Sequence, residues 1–362
     1  QINGAQVAPG IADTGILNIG GLTMSVGGTS ILSMQVNGLS AGSGHDQLVV
    51  AGTVNLGGAT LVLSGSVVAS VGQQVVLIDN DGADAVLGTF AGLANGAGLT
   101  LNSQPFRIFY NGGDGNDVVL IRDYDGHAPT TVYVDDDWAG LTPGVDPDGP
   151  GGPAGFYMLD AFSSIQAGVD RVAVGGTVNI LNGNYVESNV PVTKAMTIAG
   201  QSRDGVVIRS ALVDSNIDSS FGGSVYSYAF LLQSGGVTIR DLTIDGDDPA
   251  TAGVVEHNFR GGVMTDHRLG TVYNDITVQD IAVRHAYRRG IQIHSGTASK
   301  SAGHLVDGNI IEDIVTGPAV AFFDAVGTIS NNIISGMDTA IESNQWSTSG
   351  GTTVAITGNT IS

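Results

Sequence analysis

The chain predicts an all-β protein whose C-terminal part is a stacked solenoid. The first observation behind this is a short sentence repeated five times. An apolar β-branched residue is followed three positions later by a turn-facing residue, and two positions after that by another apolar residue. The copies are Ile239-Leu242-Ile244, Val278-Ile281-Val283, Val306-Asn309-Ile311, Ile329-Asn332-Ile334 and Ile356-Asn359-Ile361, with lead residues 39, 28, 23 and 27 positions apart. Periods of this size mark stacked repeats, none of which can bury its own apolar face alone. The second observation is composition. The chain has 362 residues with 55 Gly, only 6% aromatics and 13% charged residues. Small β-branched residues and frequent Gly suit flat strands with tight corners better than helix bundles. The third is the near absence of helical periodicity outside one short segment.

Composition also excludes functions. There is no Cys, so disulfides, thiolate metal sites and a Cys nucleophile are ruled out. The net charge is −21, from 34 acidic and 13 basic residues, the opposite of what a duplex-binding surface needs. No apolar run approaches the roughly 20 residues of a membrane span. The chain starts at Gln1, without Met, and Ser362 closes just after Ile361, in mid-pattern. A trimmed or partial chain is therefore expected. Beyond Ser362, either more chain or another subunit is expected to cover the open strand edge, which would otherwise invite pairing.

Three regions are expected. Residues 1–122 form a Gly-rich β module, with Gly pairs at Gly20-Gly21, Gly27-Gly28 and Gly57-Gly58. Its strand candidates are Gly15–Asn18, Ser30–Val36, Gln47–Val50, Ala59–Leu63, Gln74–Ile78 and Val118–Ile121. The pattern leaves open whether this module is a sandwich or a solenoid. Residues 123–159 read as an acidic Gly/Pro linker carrying one opening strand, Thr131–Val134. From Asp160 the second domain begins with an amphipathic helix over Asp160–Val169. Ala161, Ile165 and Val169 share a face, and Asp160 is the expected N-cap.

The runs APGIADTGILNIGGLTMSVGGTSILSMQVNG, HDQLVVAGTVNLGGATLVL and FRIFYNGGDGNDVVLI together resemble the autotransporter-associated β-strand repeat, over about residues 5–122. The resemblance implies a β-rich passenger-type module of large bacterial surface or secreted proteins, with no known catalytic residues. The stretch GGTVNILNGNYVESNVPVTKAMTIAGQS, with its Gly183-Asn184-Tyr185 turn and the coil from Lys194 to Gly200, resembles the opening of right-handed parallel β-helix proteins of the pectate-lyase-like superfamily. That resemblance covers about residues 131–362. It implies a right-handed parallel β-helix over 160–362 with an N-terminal capping helix. It says little about activity, because one fold hosts many functions.

Four sets of residues carry candidate chemistry. The string Gly112 to Leu120 fits the calcium-binding nonapeptide at every position, with Asp114 and Asp117 as oxygen donors. Calcium normally sits between stacked copies of this turn, and the chain has no second copy. The alternative is a Gly-Asp turn that closes the module. The acidic junction offers Asp135, Asp136, Asp137, Asp146 and Asp148 as Ca²⁺ ligands, against the alternative of a solvated linker. The scarce basic residues gather between 257 and 304. They are Arg260, Arg268, Arg284, Arg288, Arg289 and Lys300, with His257, His267, His285, His294 and His304, interleaved with Glu256, Asp266, Asp275 and Asp280. A uronate lyase or epimerase needs a cation to neutralise the uronate and a base to take the C5 proton. Arg284, Tyr287, Arg288, Arg289 and Lys300 are the candidates, with Tyr287-Arg288-Arg289 the most compact group. Charge balance on an acidic surface is the alternative. Last, Asp245, Asp247 and Asp248 could approach Asp280 or Asp313 as a hydrolytic carboxylate pair, if two acids lie about 5–9 Å apart.

Asn309, Asn332 and Asn359 share one repeat slot and are expected to stack as a hydrogen-bonded ladder. No Ser-His-Asp signature, phosphate loop or HExxH motif is present. The expected function is an extracellular structural or adhesive bacterial surface protein, such as a filament or matrix subunit that self-associates head to tail. A polysaccharide-active β-helix and a calcium-dependent adhesion module are the alternatives. No cofactor is required on these readings, with Ca²⁺ the one candidate ion and a polysaccharide the candidate ligand.

Overall fold

The computed structural model describes the chain except residues 1, 11, 25–28, 82, 126, 211–226, 248–258, 297–298 and 345–352. Gly27, Gly28, Asp248, Glu256 and His257 therefore lie outside the described residues. The protein is nearly all β, with long parallel sheets. It divides into two compact units. One comprises Gln1–Ala128 with Gly140–Ala161, the other Pro129–Ala139 with Phe162–Ser362.

The first unit begins as short parallel ladders. Gln6–Val7, Ile31–Gln35 and Thr60–Ser64 pair in parallel, as do Ile16–Ile19, Gln47–Val50 and Gln74–Asn80. Alternation along Ile31–Gln35 puts Leu32 and Met34 wholly inside, beside Leu48 and Val50. Each such side chain contributes about 1.5–3 kcal/mol when buried. Asp46 ties two segments together, accepting the Gly15 and Gln35 backbone N–H groups at 2.8 Å each. The unit then turns antiparallel. Gln104–Gly112 pairs with Gly98–Leu101 and with Asp117–Arg122, and the latter pairs with Gln74–Asn80.

Part of the acidic Gly/Pro stretch packs into this unit. Leu159 is buried with Phe109, Val119 and Ile121. Tyr124 Oη donates to Asp160 at 2.7 Å, and Gln74 Nε2 donates to the Pro143 carbonyl. The ring of Phe156 lies against Gly72, where a Cβ would come within 2.3 Å of it at a backbone φ of +82°.

In the second unit three apolar columns run through parallel strands. The first column links Val132, Val178, Ile198, Ile239, Val278, Val306, Ile329 and Ile356, each the Cα partner of the next. The second links Tyr185, Ile208, Ile244, Val283, Ile311, Ile334 and Ile361. The third links Val190, Phe230, Val263, Ile291, Val320 and Ile341. The lead residues of all five sequence repeats thus fall in one column and their closing residues in another. Strand Ala282–His294 bends between the second and third columns and serves both.

The corner between the first two columns has its own rule. Asp241, Asp280, Gly308, Asn331 and Gly358 all adopt φ of +54° to +67° at the same repeat slot. Only residues that tolerate the left-handed region appear there. The next slot holds Leu242, Ile281, Asn309, Asn332 and Asn359. The three asparagines form the expected ladder. Asn309 Nδ2 donates to Asn332 Oδ1 and Asn332 Nδ2 to Asn359 Oδ1, both at 2.8 Å. Each Asn Oδ1 also takes the backbone N–H of the residue in the preceding repeat, from Ile281, Asn309 and Asn332.

The helix of this unit is Ile165–Arg171, and its N-cap is Ser164, not Asp160. Ala161–Phe162 is extended, so the chain becomes helical only after Ser164. The Ser164 hydroxyl takes the Ala167 N–H, and the Glu187 carboxylate takes those of Ile165 and Gln166 at 2.6 and 2.9 Å. Burial pushes the Glu187 carboxyl up, and those two N–H bonds only partly offset it. Gly168 lets the helix approach Val134 and Val178, since a Cβ there would lie 2.7 Å from Val134. Ser164→Ala should lower stability by about 1 kcal/mol in urea titrations. Gly183–Val186 is a strand instead of the expected turn, and Tyr185 is buried with its hydroxyl on the Leu181 and Val134 carbonyls.

Candidate functional site

A second corner, two residues past the closing residues of the first four repeats, is occupied in order by Gly246, His285, Asp313 and Gly336. His285 and Asp313 hold φ of +53° and +55°. Glycines on both sides of the pair leave their side chains room: a Cβ on Gly336 would stand 2.7 Å from Asp313 Oδ1. The corner opens into a cavity of about 560 Å³ lined by His285, Asp313, Ile314, Val315, Gly336, Met337 and Asp338.

Behind His285 lies Asp245, its side chain 5% exposed. Asp245 Oδ1 accepts His285 Nδ1 at 2.8 Å and the Asp247 N–H at 3.0 Å. Its Oδ2 accepts Arg284 Nε at 3.0 Å, with Arg209 Nη1 at 3.8 Å. Burial pushes the Asp245 carboxyl up, but the hydrogen bonds from His285, Asp247 and Arg284 outweigh it and hold the group below the usual range. An ionised carboxylate only accepts hydrogen bonds, so His285 Nδ1 carries the proton. Nε2 then faces Asp313 Oδ2 at 3.8 Å. The imidazole is fixed at one end, and its other nitrogen faces Asp313 across the corner.

The structure separates the basic residues singled out from sequence. Arg284 belongs to the Asp245 group. Arg289 is 5% exposed, and its guanidinium lies 5.3 Å from the centre of the Phe323 ring. Burial lowers its pKa, while Tyr228 opposes that shift. Tyr228 is buried too. Burial raises its pKa, and the guanidinium groups of Arg289, Arg260 and Arg288 counter it. Arg288 and Tyr287 are half-buried, and the Tyr287 carbonyl takes the N–H and hydroxyl of Thr316. Lys300 is half-buried just before strand Ser301–Asp307. Tyr287, Arg288 and Arg289 therefore do not form one exposed group. Deeper in the same unit, the rings of His267 and His294 stack 4.2 Å apart, and His294 meets Phe323 edge-on.

Among the proposed calcium ligands, Asp135, Asp136 and Asp137 converge, with one oxygen of each within 4.8 Å of the others. Backbone groups already engage two of them. Asp135 takes the Asp137 N–H, and Asp136 takes that of Asn184. Burial, together with the neighbouring carboxylates, pushes Asp135 up. In the first unit Asp148 takes the Ala154 N–H within its own loop, while Asp146 is exposed. Asp117 is buried and takes the Asn80 N–H at 2.8 Å, closing the turn on which Asp114 is exposed. Burial raises the Asp117 pKa, and Asp79 and Asp114 add to the rise.

Of the expected carboxylate partners, Asp245 and Asp313 both approach His285, one at each ring nitrogen. Asp280 instead sits at the first corner, beside Gly308. Sequence reasoning missed Met337 and Asp338. The signal for this site was the corner register itself, where Gly, His, Asp and Gly alternate with the columns. No protein-family model, curated protein or solved structure matches the chain.

Proposed function

We propose that the chain is an extracellular structural or adhesive protein whose second unit winds as a right-handed parallel β-helix. The observation that carries this reading is the unbroken register of three apolar columns. A parallel strand joined to the next in its own sheet is right-handed in about 98% of cases, which supports the hand. The resemblance of the first unit to autotransporter-associated repeats supports a bacterial surface setting. Partners of matching character are further copies of the chain and surface polysaccharide.

The competing polyuronate lyase reading has two physical costs. The cavity beside His285 is walled by Asp313 and Asp338, which repel an anionic polymer. The buried Arg289 is withdrawn from any such polymer. A polysaccharide-active reading at this corner, with His285 as base, therefore favours neutral or amino sugars over uronates. Incubation with polyuronates, with and without Ca²⁺, should give no rise in absorbance from unsaturated products. A sustained rise that is lost in Arg284→Ala would overturn the structural reading.

A further inference from the structure

We propose that His285 and Asp313 hold a divalent transition-metal ion of the Zn²⁺ class at the second corner, with Asp245 as the outer anchor of the imidazole. This goes beyond the structural reading and does not depend on it. The separation of 3.8 Å between His285 Nε2 and Asp313 Oδ2 is too long for a hydrogen bond. It lies within the span of two donors that share an ion at about 2.0–2.2 Å each.

The ring is arranged as metal-ligating histidines usually are. Its far nitrogen donates to a carboxylate, which fixes tautomer and orientation and makes the other nitrogen more basic. Here that carboxylate is buried Asp245, accepting Nδ1–H at 2.8 Å. Arg284 and Arg209 face Asp245 and balance its charge. The charge left at the cavity is that of Asp313 and Asp338, which favours a cation. Asp338 lines the same cavity, though not within 4.8 Å of both donors, so the remaining coordination positions fall to solvent. An imidazole donor selects borderline metals over Ca²⁺ or Mg²⁺, which prefer all-oxygen shells.

The left-handed corner explains why such a pair can arise here. The slot accepts His and Asp at positive φ, and the flanking glycines remove the side chains that would crowd them. The Asp135–Asp137 cluster differs, since it is purely acidic and two of its members are taken by backbone groups.

The test is calorimetric titration of Zn²⁺ into the whole chain after stripping with a chelator. One site is expected, lost in Asp313→Asn and in His285→Asn, both of which keep residues suited to positive φ. Asp245→Asn should weaken binding by about 10–100-fold although it touches no metal. Asp135→Asn should leave the site unchanged, and circular dichroism would confirm that each variant is folded. No binding by the wild-type chain at millimolar Zn²⁺, or binding that survives Asp313→Asn in a folded protein, overturns the proposal. Loss in Asp135→Asn instead would place the ion elsewhere and overturn it equally.

Discussion

Asn332→Ala is expected to destabilise the second unit by about 3–5 kcal/mol, one of the largest single effects in the chain. The side chain is fully buried, and every polar atom is engaged. Its Oδ1 accepts both the backbone N–H and the Nδ2 of Asn309, and its Nδ2 donates to the Val306 carbonyl and to Asn359 Oδ1. Truncation strands several buried partners at once, and each costs about 1–3 kcal/mol. Asn332→Leu should cost nearly as much, although Leu242 occupies the same slot three repeats earlier. The neighbours of Leu242 do not depend on a polar partner there, whereas Asn309 does. Asn309→Leu combined with Asn332→Leu should cost less than the sum of the two, because the apolar pair removes donor and acceptor together. Urea titrations of the two single variants and the pair measure this. Strict additivity would mean that the ladder is not a coupled network.

Mild acid should destabilise the same unit. Burial lowers His294 to about 4, helped by the His267 charge, and burial alone lowers His304 to about 4. Both are neutral in the folded chain, while in the unfolded chain they take a proton near pH 6.5. The unfolded state therefore binds more protons between pH 6.5 and 4. Stability present above pH 6.5 is lost as pH falls through that window, by on the order of 2–3 kcal/mol for each group. Burial shifts His267 in the same direction. The raised carboxyls of Asp135 and Glu187 act oppositely at the acid end of the window. His304 gives the cleanest variant, because its Nδ1 accepts the Ile276 N–H at 3.3 Å. Asn can place an acceptor at the same point without titrating. His304→Asn should remove roughly half of the loss seen in melts at pH 7.5 and 4.5. A wild-type melting temperature that stays flat across that range would contradict the assignment of both histidines as buried and neutral.

The columns were legible because the offset from lead to closing residue is constant and both are β-branched. Ile239 and Val278, or Ile244 and Val283, need no tertiary information to be aligned. The asparagine ladder followed from the same slot logic. The left-handed slot of Asp241, Asp280, Gly308, Asn331 and Gly358 was equally readable, since few other residues adopt that backbone. The pairing sense of the first unit was not readable. Alternation along Ile31–Gln35 looks the same in parallel and antiparallel ladders, and its partners are set by remote segments. Gly98–Leu101 and Gln104–Gly112 escaped because Pro105 and the Asn102-Ser103 turn, both residues at positive φ, disguise a hairpin. Asp160 misled as a cap because the two residues after it are extended, and its carboxylate takes the Phe156 N–H instead. For the candidate site, sequence placed Arg288 and Arg289 side by side. Only its burial in the structure shows that Arg289 cannot join Arg284 on an exposed face.

In all five repeats the lead and closing residues are five positions apart, while successive lead residues stand 23 to 39 apart. Variation in length is therefore confined to the remainder of each repeat, and the two-column segment is invariant. A foreign peptide grafted at the exposed Gly270-Thr271 would lengthen an excursion without disturbing the stack. A single residue inserted between Ile239 and Ile244 would turn aliphatic side chains toward water. The architecture thus separates a frame that cannot change length from segments that can, which makes it a natural carrier for displayed sequences.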